Sequence, residues 1–162
     1  MKFKDTLPAG ARIFDSRLRV QWADVDVAGI LYFAAYWRFI EMAEMDMFRE
    51  LGFPYNQVFE DFDFWLPRVH VEGEYHAPAA MDDWLRMRTH IEKVGVSSVR
   101  WRTVAYNERT GEPGAAFLVT VACMDRATKK SRPLPEEFRT ALRACLAEYR
   151  LDNCQGGGRL GP

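Results

Sequence analysis

The sequence predicts an α+β fold in which an antiparallel sheet of five to six strands wraps around one long central helix. Three observations predict it: one segment with helical spacing is apolar nearly all round, four strand-like segments follow it, and short turns link those strands. Strands joined by short turns pair antiparallel. A helix that is apolar on all sides must be enclosed, and a sheet that curls around it meets both requirements.

The first elements are a strand, an acidic turn and the long helix. Apolar and polar residues alternate over 13–22, which predicts a strand. The segment 23–29, Ala-Asp-Val-Asp-Val-Ala-Gly, has the composition of a turn. Apolar residues then recur at helical spacing from about 33 to 51, and Gly52 with Pro54 ends the helix.

Four strands are predicted after a short, helical link through Phe59. They cover about 63–76, 83–94, 97–107 and 115–126, with turn-forming residues between them. An amphipathic helix is predicted over 135–149. We interpret 1–152 as a single domain and 153–162, which contains three consecutive glycines, as a flexible tail.

Composition argues against several classes of protein. Lysine and arginine number 22 against 23 acidic residues, so no global field attracts nucleic acid. The three cysteines lack CxxC spacing, which argues against a disulfide framework or a zinc site and favours a reducing compartment. No apolar run approaches the ~18 residues that span a bilayer, and the N-terminus lacks a signal-peptide pattern. A cytoplasmic location without a membrane span is predicted.

The acidic turn belongs to a longer pattern. The segment 21–36 (QWADVDVAGILYFAAY), followed by Glu41, resembles the active-site segment of hotdog-fold acyl-CoA thioesterases of the 4-hydroxybenzoyl-CoA thioesterase type. Three further segments agree with that family: 75–79, 82–85 and 93–98. The resemblance implies a hotdog fold, an acyl-CoA substrate, no cofactor, a homodimer or homotetramer, and an active site between subunits.

The resemblance assigns the chemistry to two positions. Asp26 matches the catalytic aspartate of the family, and the backbone N–H that polarises the thioester carbonyl maps onto Phe33. Physical chemistry agrees, because the first N–H groups of a helix are unpaired and lie at the positive end of its dipole. Hydrolysis also needs a base for water or a carboxylate nucleophile, and both roles stay open for Asp26. No metal is required, and Asp24 is predicted to be structural, in an Asx turn or paired with an arginine.

Ten residues are predicted to bind the substrate. Some belong to the catalytic segment, two aromatic residues are candidates for an acyl pocket or a subunit interface, and a serine is a candidate for positioning water or substrate. The basic residues are candidates for phosphate contacts or a solvated loop, because turn 95–97 lacks the basic cluster of the 4-hydroxybenzoyl-CoA enzyme. This departure leaves acyl carrier protein open as the carrier instead of CoA. The ten are Gly29, Tyr32, Tyr36, Phe64, Trp65, Lys93, Ser97, Lys129, Lys130 and Arg132.

The other polar residues of interest are two glutamates of the central helix and the three histidines. We interpret Glu41 as the partner of an arginine on the sheet, with a second carboxylate near the site as the alternative, and assign no role to Glu44. The histidines His70, His76 and His90 lack the spacing of metal ligands and are interpreted as core or surface residues.

The sequence therefore predicts an acyl-CoA thioesterase. A hydratase or dehydratase of the same fold is ranked lower, because its chemistry pairs a histidine with an acid and no histidine is expected near Asp26. A non-catalytic acyl-CoA-binding module is the third alternative, and the presence of Asp26 argues against it.

Overall fold

A five-stranded antiparallel sheet determines where the other elements lie. The computed structural model describes residues 7–146. The strands are, in chain order, β1 (Phe14–Arg19), β2 (Phe64–Trp65), β3 (Arg68–Tyr75), β4 (Trp84–Val94), β5 (Ser98–Asn107), β6 (Pro113–Ala122) and β7 (Met124–Asp125). The sheet has the order β1-β4-β5-β6-β3, and β2 pairs with β7 in a separate ribbon. The predicted antiparallel sheet is confirmed, with five strands.

Helix α1 (Ala35–Glu50) packs on the sheet at β1 and β4. Its side chains Phe39, Met47 and Phe48 are fully buried, and Phe48 lies edge-on to Trp101 of β5. Each large apolar side chain that is fully buried in this way contributes about 1.5–3 kcal/mol to folding. This layer of helix on sheet is the core of the protein.

Besides a 3₁₀ turn at Trp22–Asp24, two short α-helices complete the described part of the chain. They are α2 (Tyr55–Asp61) and α3 (Glu136–Arg143). In α3, Phe138 is buried against Phe48 and Phe64. The predicted end of the last helix at 147–149 and the predicted tail at 153–162 lie outside the described residues.

Two predicted strands and the enclosure of the central helix differ from the structure. The strand predicted over 63–76 is divided at Pro67, because proline has no N–H to donate to a ladder. The strand predicted over 115–126 is divided at Cys123. The central helix is also less enclosed than expected, since Met42 on its outer side is 38% exposed.

Strand β3 lies at one edge of the sheet and is its most exposed strand. Two of its apolar side chains, Val69 and Val71, are 60% and 47% exposed. An edge strand offers unpaired backbone groups to another chain. Within residues 7–146, no helix combines the length and apolar character needed to cross a membrane.

Candidate active site

Asp26 lies at the start of a tight hairpin turn. Its N–H donates to the Ile30 carbonyl (3.0 Å), and Gly29 N–H donates back to the Asp26 carbonyl (2.9 Å). Gly29 has φ of +74°, a left-handed conformation that glycine adopts without strain. The Asp26 side chain accepts a hydrogen bond through Oδ1 from Ala28 N–H (2.8 Å). This bond orients the carboxylate, which is exposed.

Asp24, two residues earlier, has a structural role. It is 3% exposed, forms an ion pair with Arg38 of α1, and accepts a hydrogen bond from Gln21 N–H (2.9 Å). Its backbone carbonyl accepts from Tyr32 N–H (2.8 Å). The predicted arginine partner is thus Arg38, and Asp24 attaches the acidic turn to the helix.

The helix begins two residues later than predicted. Phe33 and Ala34 form a turn that Ala35 N–H closes by donating to the Tyr32 carbonyl (2.9 Å). Among residues 7–146, no acceptor is found for the Phe33 N–H. This group therefore stays available next to the positive end of the α1 dipole.

Asp26 and Phe33 line the same cleft, which has a volume of about 410 Å³. Asp26 is exposed and Phe33 is 58% exposed, whereas Tyr36 is only 3% exposed. The two predicted catalytic residues therefore lie at the mouth of the cleft and Tyr36 at its floor. The complete lining is Asp26, Ile30, Leu31, Phe33, Tyr36, Tyr75, His76, Ala77 and Pro78.

Backbone contacts attach the catalytic hairpin to the segment that follows β3. Leu31 N–H donates to the Ala79 carbonyl (2.7 Å), and Ile30 forms a bridge with Ala80. Asp83 holds this segment from behind, since its carboxylate accepts from Ala80 N–H (2.9 Å). Bonds from Arg109 and Asn107 also reach this carboxylate, and with the Ala80 N–H they hold the pKa of Asp83 well below its usual range.

Two tyrosines line the floor and wall of the cleft. Burial raises the pKa of Tyr36 to about 12, with smaller effects from Tyr75 and Asp83, so its hydroxyl is a neutral donor. No hydrogen-bond partner for the Tyr36 hydroxyl is found in the part of the chain that the structure describes. The Tyr75 hydroxyl donates to the Phe33 carbonyl (3.2 Å). Tyr75 was not predicted as a site residue, although it lies in a segment that matches the family.

The structure corrects the expectation that no histidine lies near Asp26. His76 lines the same cleft, and its Nε2 lies 3.8 Å from Oε2 of Glu74. Fifty residues separate Asp26 from His76 in sequence, and contacts such as the pairing of Ile30 with Ala80 bring the two segments together. The one signal in the sequence is that His76 lies in a segment that matches the family.

The predicted substrate-binding residues divide between the two ends of the sheet. Three belong to the cleft segment: Tyr36 lines the cleft, while Gly29 and Tyr32 lie next to its lining residues. Seven adjoin the opposite end, near the start of β3 and β5: Phe64, Trp65, Lys93, Ser97, Lys129, Lys130 and Arg132. The ends are about 30 Å apart, since β5 has ten residues that each rise ~3.4 Å.

At this opposite end, several of the predicted residues already have partners. Phe64 is fully buried in the core, and the guanidinium of Arg126 lies over the Trp65 ring. Arg132 donates to the Asp63 carbonyl (3.1 Å), and Lys129 donates to the Arg126 carbonyl (2.5 Å). A single chain does not bring these residues to Asp26.

The arginine partner expected for Glu41 pairs instead with Glu44, a glutamate of α1 to which the sequence assigned no role. Glu44, not Glu41, pairs with the arginine on the sheet: it is 1% exposed, accepts from Arg68 (2.8 Å) and bonds to the Tyr55 hydroxyl. Burial raises the pKa of Glu44 to about 7 against the opposing effect of Arg68. Glu41 is exposed at a second cavity of about 520 Å³, which Arg68 also lines. The expected ion pair of Glu41 is wrong because Glu44 already holds the arginine.

Within residues 7–146, no three His, Cys, Asp or Glu side chains are grouped so that they could hold a metal ion. The cleft offers the Asp26 carboxylate, the Phe33 N–H, two tyrosine hydroxyls and the His76 imidazole. These groups suit proton transfer and the stabilisation of an oxyanion.

Comparison with known proteins identifies the family. The model of the thioesterase-like superfamily matches residues 20–142. The acyl-CoA thioester hydrolase YbgC of Escherichia coli O6:H1 is 31% identical over 131 residues, which cover 78% of this chain and 92% of that protein. A 1,4-dihydroxy-2-naphthoyl-CoA hydrolase of Thermosynechococcus vestitus is 25% identical over 134 residues, covering 83% and 91%.

A solved structure supports the fold. The 1,4-dihydroxy-2-naphthoyl-CoA thioesterase from Synechocystis superposes with a TM-score of 0.75 at 23% identity, over 81% of this chain and 96% of that one. The family model covers most of the chain, and the E. coli relative exceeds 30% identity. The chain therefore belongs to the thioesterase-like superfamily, has the hotdog fold and is a thioester-hydrolysing enzyme.

Proposed function

We propose that the protein hydrolyses an acyl-CoA to a free acid and CoA, with Asp26 as its catalytic carboxylate. The observation that carries the proposal is that Asp26 lines one cleft with Phe33, whose N–H has no acceptor within residues 7–146. The names of the relatives, which include acyl-CoA thioester hydrolase, support the substrate class. Three aromatic rings in the cleft favour an acyl group with an apolar or aromatic body.

The reaction needs two groups at the thioester carbonyl. The Phe33 N–H donates to the carbonyl oxygen and stabilises the negative charge that develops there. Asp26 either takes a proton from the attacking water or attacks the carbonyl carbon itself. In both routes the carbon–sulfur bond breaks and the electron pair leaves on the CoA sulfur, which takes up a proton from the protonated Asp26 in the first route and from water in the second. In the second route the acyl group is left on Asp26 as a mixed anhydride, and a water molecule then hydrolyses it to the free acid and restores the carboxylate. The other carboxylate oxygen of Asp26 takes the proton or attacks the carbonyl carbon, because Oδ1 accepts the hydrogen bond from Ala28 N–H.

The variant Asp26→Asn tests the proposal with little disturbance of the loop. The asparagine Oδ1 still accepts from Ala28 N–H, so the turn is retained while the base and nucleophile are lost. We expect kcat to fall about 10²-fold or more in an assay of thiol release. Asp82→Asn is the matched control, since Asp82 is exposed and has φ of +67°, which asparagine tolerates. An unchanged rate in Asp26→Asn would refute the mechanism.

A hydratase is the second candidate function, because His76 and Asp26 line one cleft. An enoyl-CoA distinguishes the two activities: a hydratase consumes the double bond without releasing thiol. A panel of short, long and aromatic acyl-CoAs, together with the matching acyl carrier protein thioesters, identifies the acyl group and the carrier.

We also propose that the enzyme acts as a homodimer or a homotetramer in which β3 pairs with β3 of a second copy. The exposed Val69 and Val71 on this edge strand support the pairing. An antiparallel twofold pair places the Tyr75 end of one β3 beside the Arg68 end of the other. The partner's Ser97 and basic residues would then approach the Asp26 cleft. Sedimentation velocity tests this assembly, with an expected mass of at least twice the 18.8 kDa of one chain.

A further inference from the structure

Phe33 lies between two peptide groups that are each held through their carbonyl oxygen. The Tyr32 carbonyl accepts from Ala35 N–H (2.9 Å), which is a contact within the turn. The Phe33 carbonyl accepts a hydrogen bond from the hydroxyl of Tyr75 (3.2 Å). Tyr75 is the last residue of β3. The second bond therefore connects the donor residue of the proposed oxyanion site to the edge strand of the sheet.

The surroundings of Tyr75 are arranged so that its hydroxyl reaches Phe33. Its ring packs against Tyr36 and Phe117, with centroid distances of 5.5 Å to each. Gly73 leaves room beside this group: a Cβ at that position would lie 2.9 Å from two carbons of the Phe117 ring and 3.5 Å from the Tyr75 hydroxyl. Glycine weakens a strand interior and often marks a close approach, and here the approach is to these two rings.

We propose that Tyr75 is a positioning residue for the thioesterase reaction, whose hydroxyl fixes the direction of the Phe33 N–H by holding the Phe33 carbonyl. The inference rests on the proposed function. Without the hydroxyl, the Phe33 carbonyl loses this contact with β3, and the Phe33 N–H loses its alignment with the developing oxyanion. Because the charge develops only in the transition state, the loss affects catalysis more than substrate binding.

The variant Tyr75→Phe removes the hydroxyl and keeps the ring between Tyr36 and Phe117. We expect kcat to fall roughly 10-fold, which is less than the ~10²–10³-fold lost when a donor itself is removed. The Kd of a thioether analogue of the acyl-CoA, which has no carbonyl to polarise, should stay within about twofold. Tyr106→Phe on β5, which pairs with Arg86 of β4 and does not line the cleft, is the matched control and should keep the wild-type kcat.

A spectroscopic measurement separates positioning from a general structural effect. In the Asp26→Asn background the intact thioester stays bound, and an isotope-labelled carbonyl reports its polarisation through its infrared stretching frequency. We expect this frequency to lie below that of free substrate in Asp26→Asn and to return toward it in Asp26→Asn/Tyr75→Phe. An equal frequency in both proteins, or an unchanged kcat in Tyr75→Phe, would overturn the inference. Absence of thiol release by the wild-type protein would instead refute the proposed function.

Discussion

At the scale of single residues, Asp83 determines whether the segment behind the cleft keeps its shape. Its buried carboxylate accepts four hydrogen bonds, from Ala80 N–H, from the Asn107 amide and two from the Arg109 guanidinium. Ala80 in turn pairs with Ile30 of the catalytic hairpin. The position of the catalytic hairpin therefore depends on the Asp83 carboxylate, which does not line the cleft.

We expect Asp83→Asn to destabilise the protein by about 2 kcal/mol, because it removes a buried charge that accepts hydrogen bonds from Arg109 and Asn107. Urea unfolding measures the change, and Asp82→Asn, exposed and adjacent, should stay within about 0.5 kcal/mol of wild type.

The dependence of stability on acid pH gives a second measurement of the contribution of Asp83. Its folded pKa is lowered, so its contribution is present above the unfolded pKa of about 3.9 and is lost as the pH falls below that value. If the difference in the free energy of unfolding between wild type and Asp83→Asn stayed constant as the pH was lowered into the acid range, this account would be contradicted.

Single residues were predictable where a local pattern carries them. Asp26 and Phe33 were assigned from one continuous segment, and both line the cleft. Tyr75 and His76 were not assigned, because their place beside Asp26 depends on pairing between segments about fifty residues apart. Glu41 and Glu44 lie three residues apart on one helix, and packing rather than spacing decides which of them is buried.

At the scale of the elements, Glu44 joins three of them. Glu44 is on α1, Arg68 on β3 and Tyr55 on α2, and the two partners contact the carboxyl group directly. Glu41 on α1 is the other charged group that acts on it, and it raises the pKa. Burial dominates, so the pKa of Glu44 rises to about 7.

This shift predicts a fall in stability as the pH rises. Between the unfolded pKa of about 4.5 and the folded pKa of about 7, the folded protein binds the proton more tightly than the unfolded chain does. The free energy of unfolding therefore decreases with rising pH across this window and levels off above it. Glu44→Gln should remove this component in urea titrations at several pH values. Glu41→Gln is the control, and an identical pH profile for wild type and Glu44→Gln would refute the assignment.

The elements themselves were predictable to within a few residues. Periodicity predicted α1 over 33–51 and the structure has Ala35–Glu50. The differences arise where one residue overrides the pattern, as Pro67 does by dividing the predicted strand. Enclosure of α1 was overestimated, since one chain covers only one side of the helix and leaves Met42 exposed.

At the scale of the whole molecule, the two groups of predicted site residues lie at opposite ends of the sheet. The Asp26 cleft follows the end of β3, while Ser97, Lys93 and the basic run 129–132 adjoin the other end. The sequence alone does not indicate that the two groups lie apart, because each group by itself contains residues suited to binding the substrate. The proposed antiparallel pair of β3 strands would bring the two groups together, since each cleft would then face the opposite end of the partner.

Mixed oligomers test this arrangement. Protomers with Asp26→Asn lack the catalytic carboxylate, and protomers with Lys129→Ala, Lys130→Ala and Arg132→Ala lack the proposed phosphate contacts. If each site combines the two halves from different protomers, mixing the two variants creates sites with both halves intact. Random exchange in a symmetric dimer then restores about a quarter of the sites. We expect that fraction of wild-type thiol release at low substrate concentration, where the raised KM of the triple variant limits its own activity.

Each variant incubated alone is the control. If every site were built within one protomer, each site of a mixed dimer would carry one of the two defects, and mixing would restore nothing.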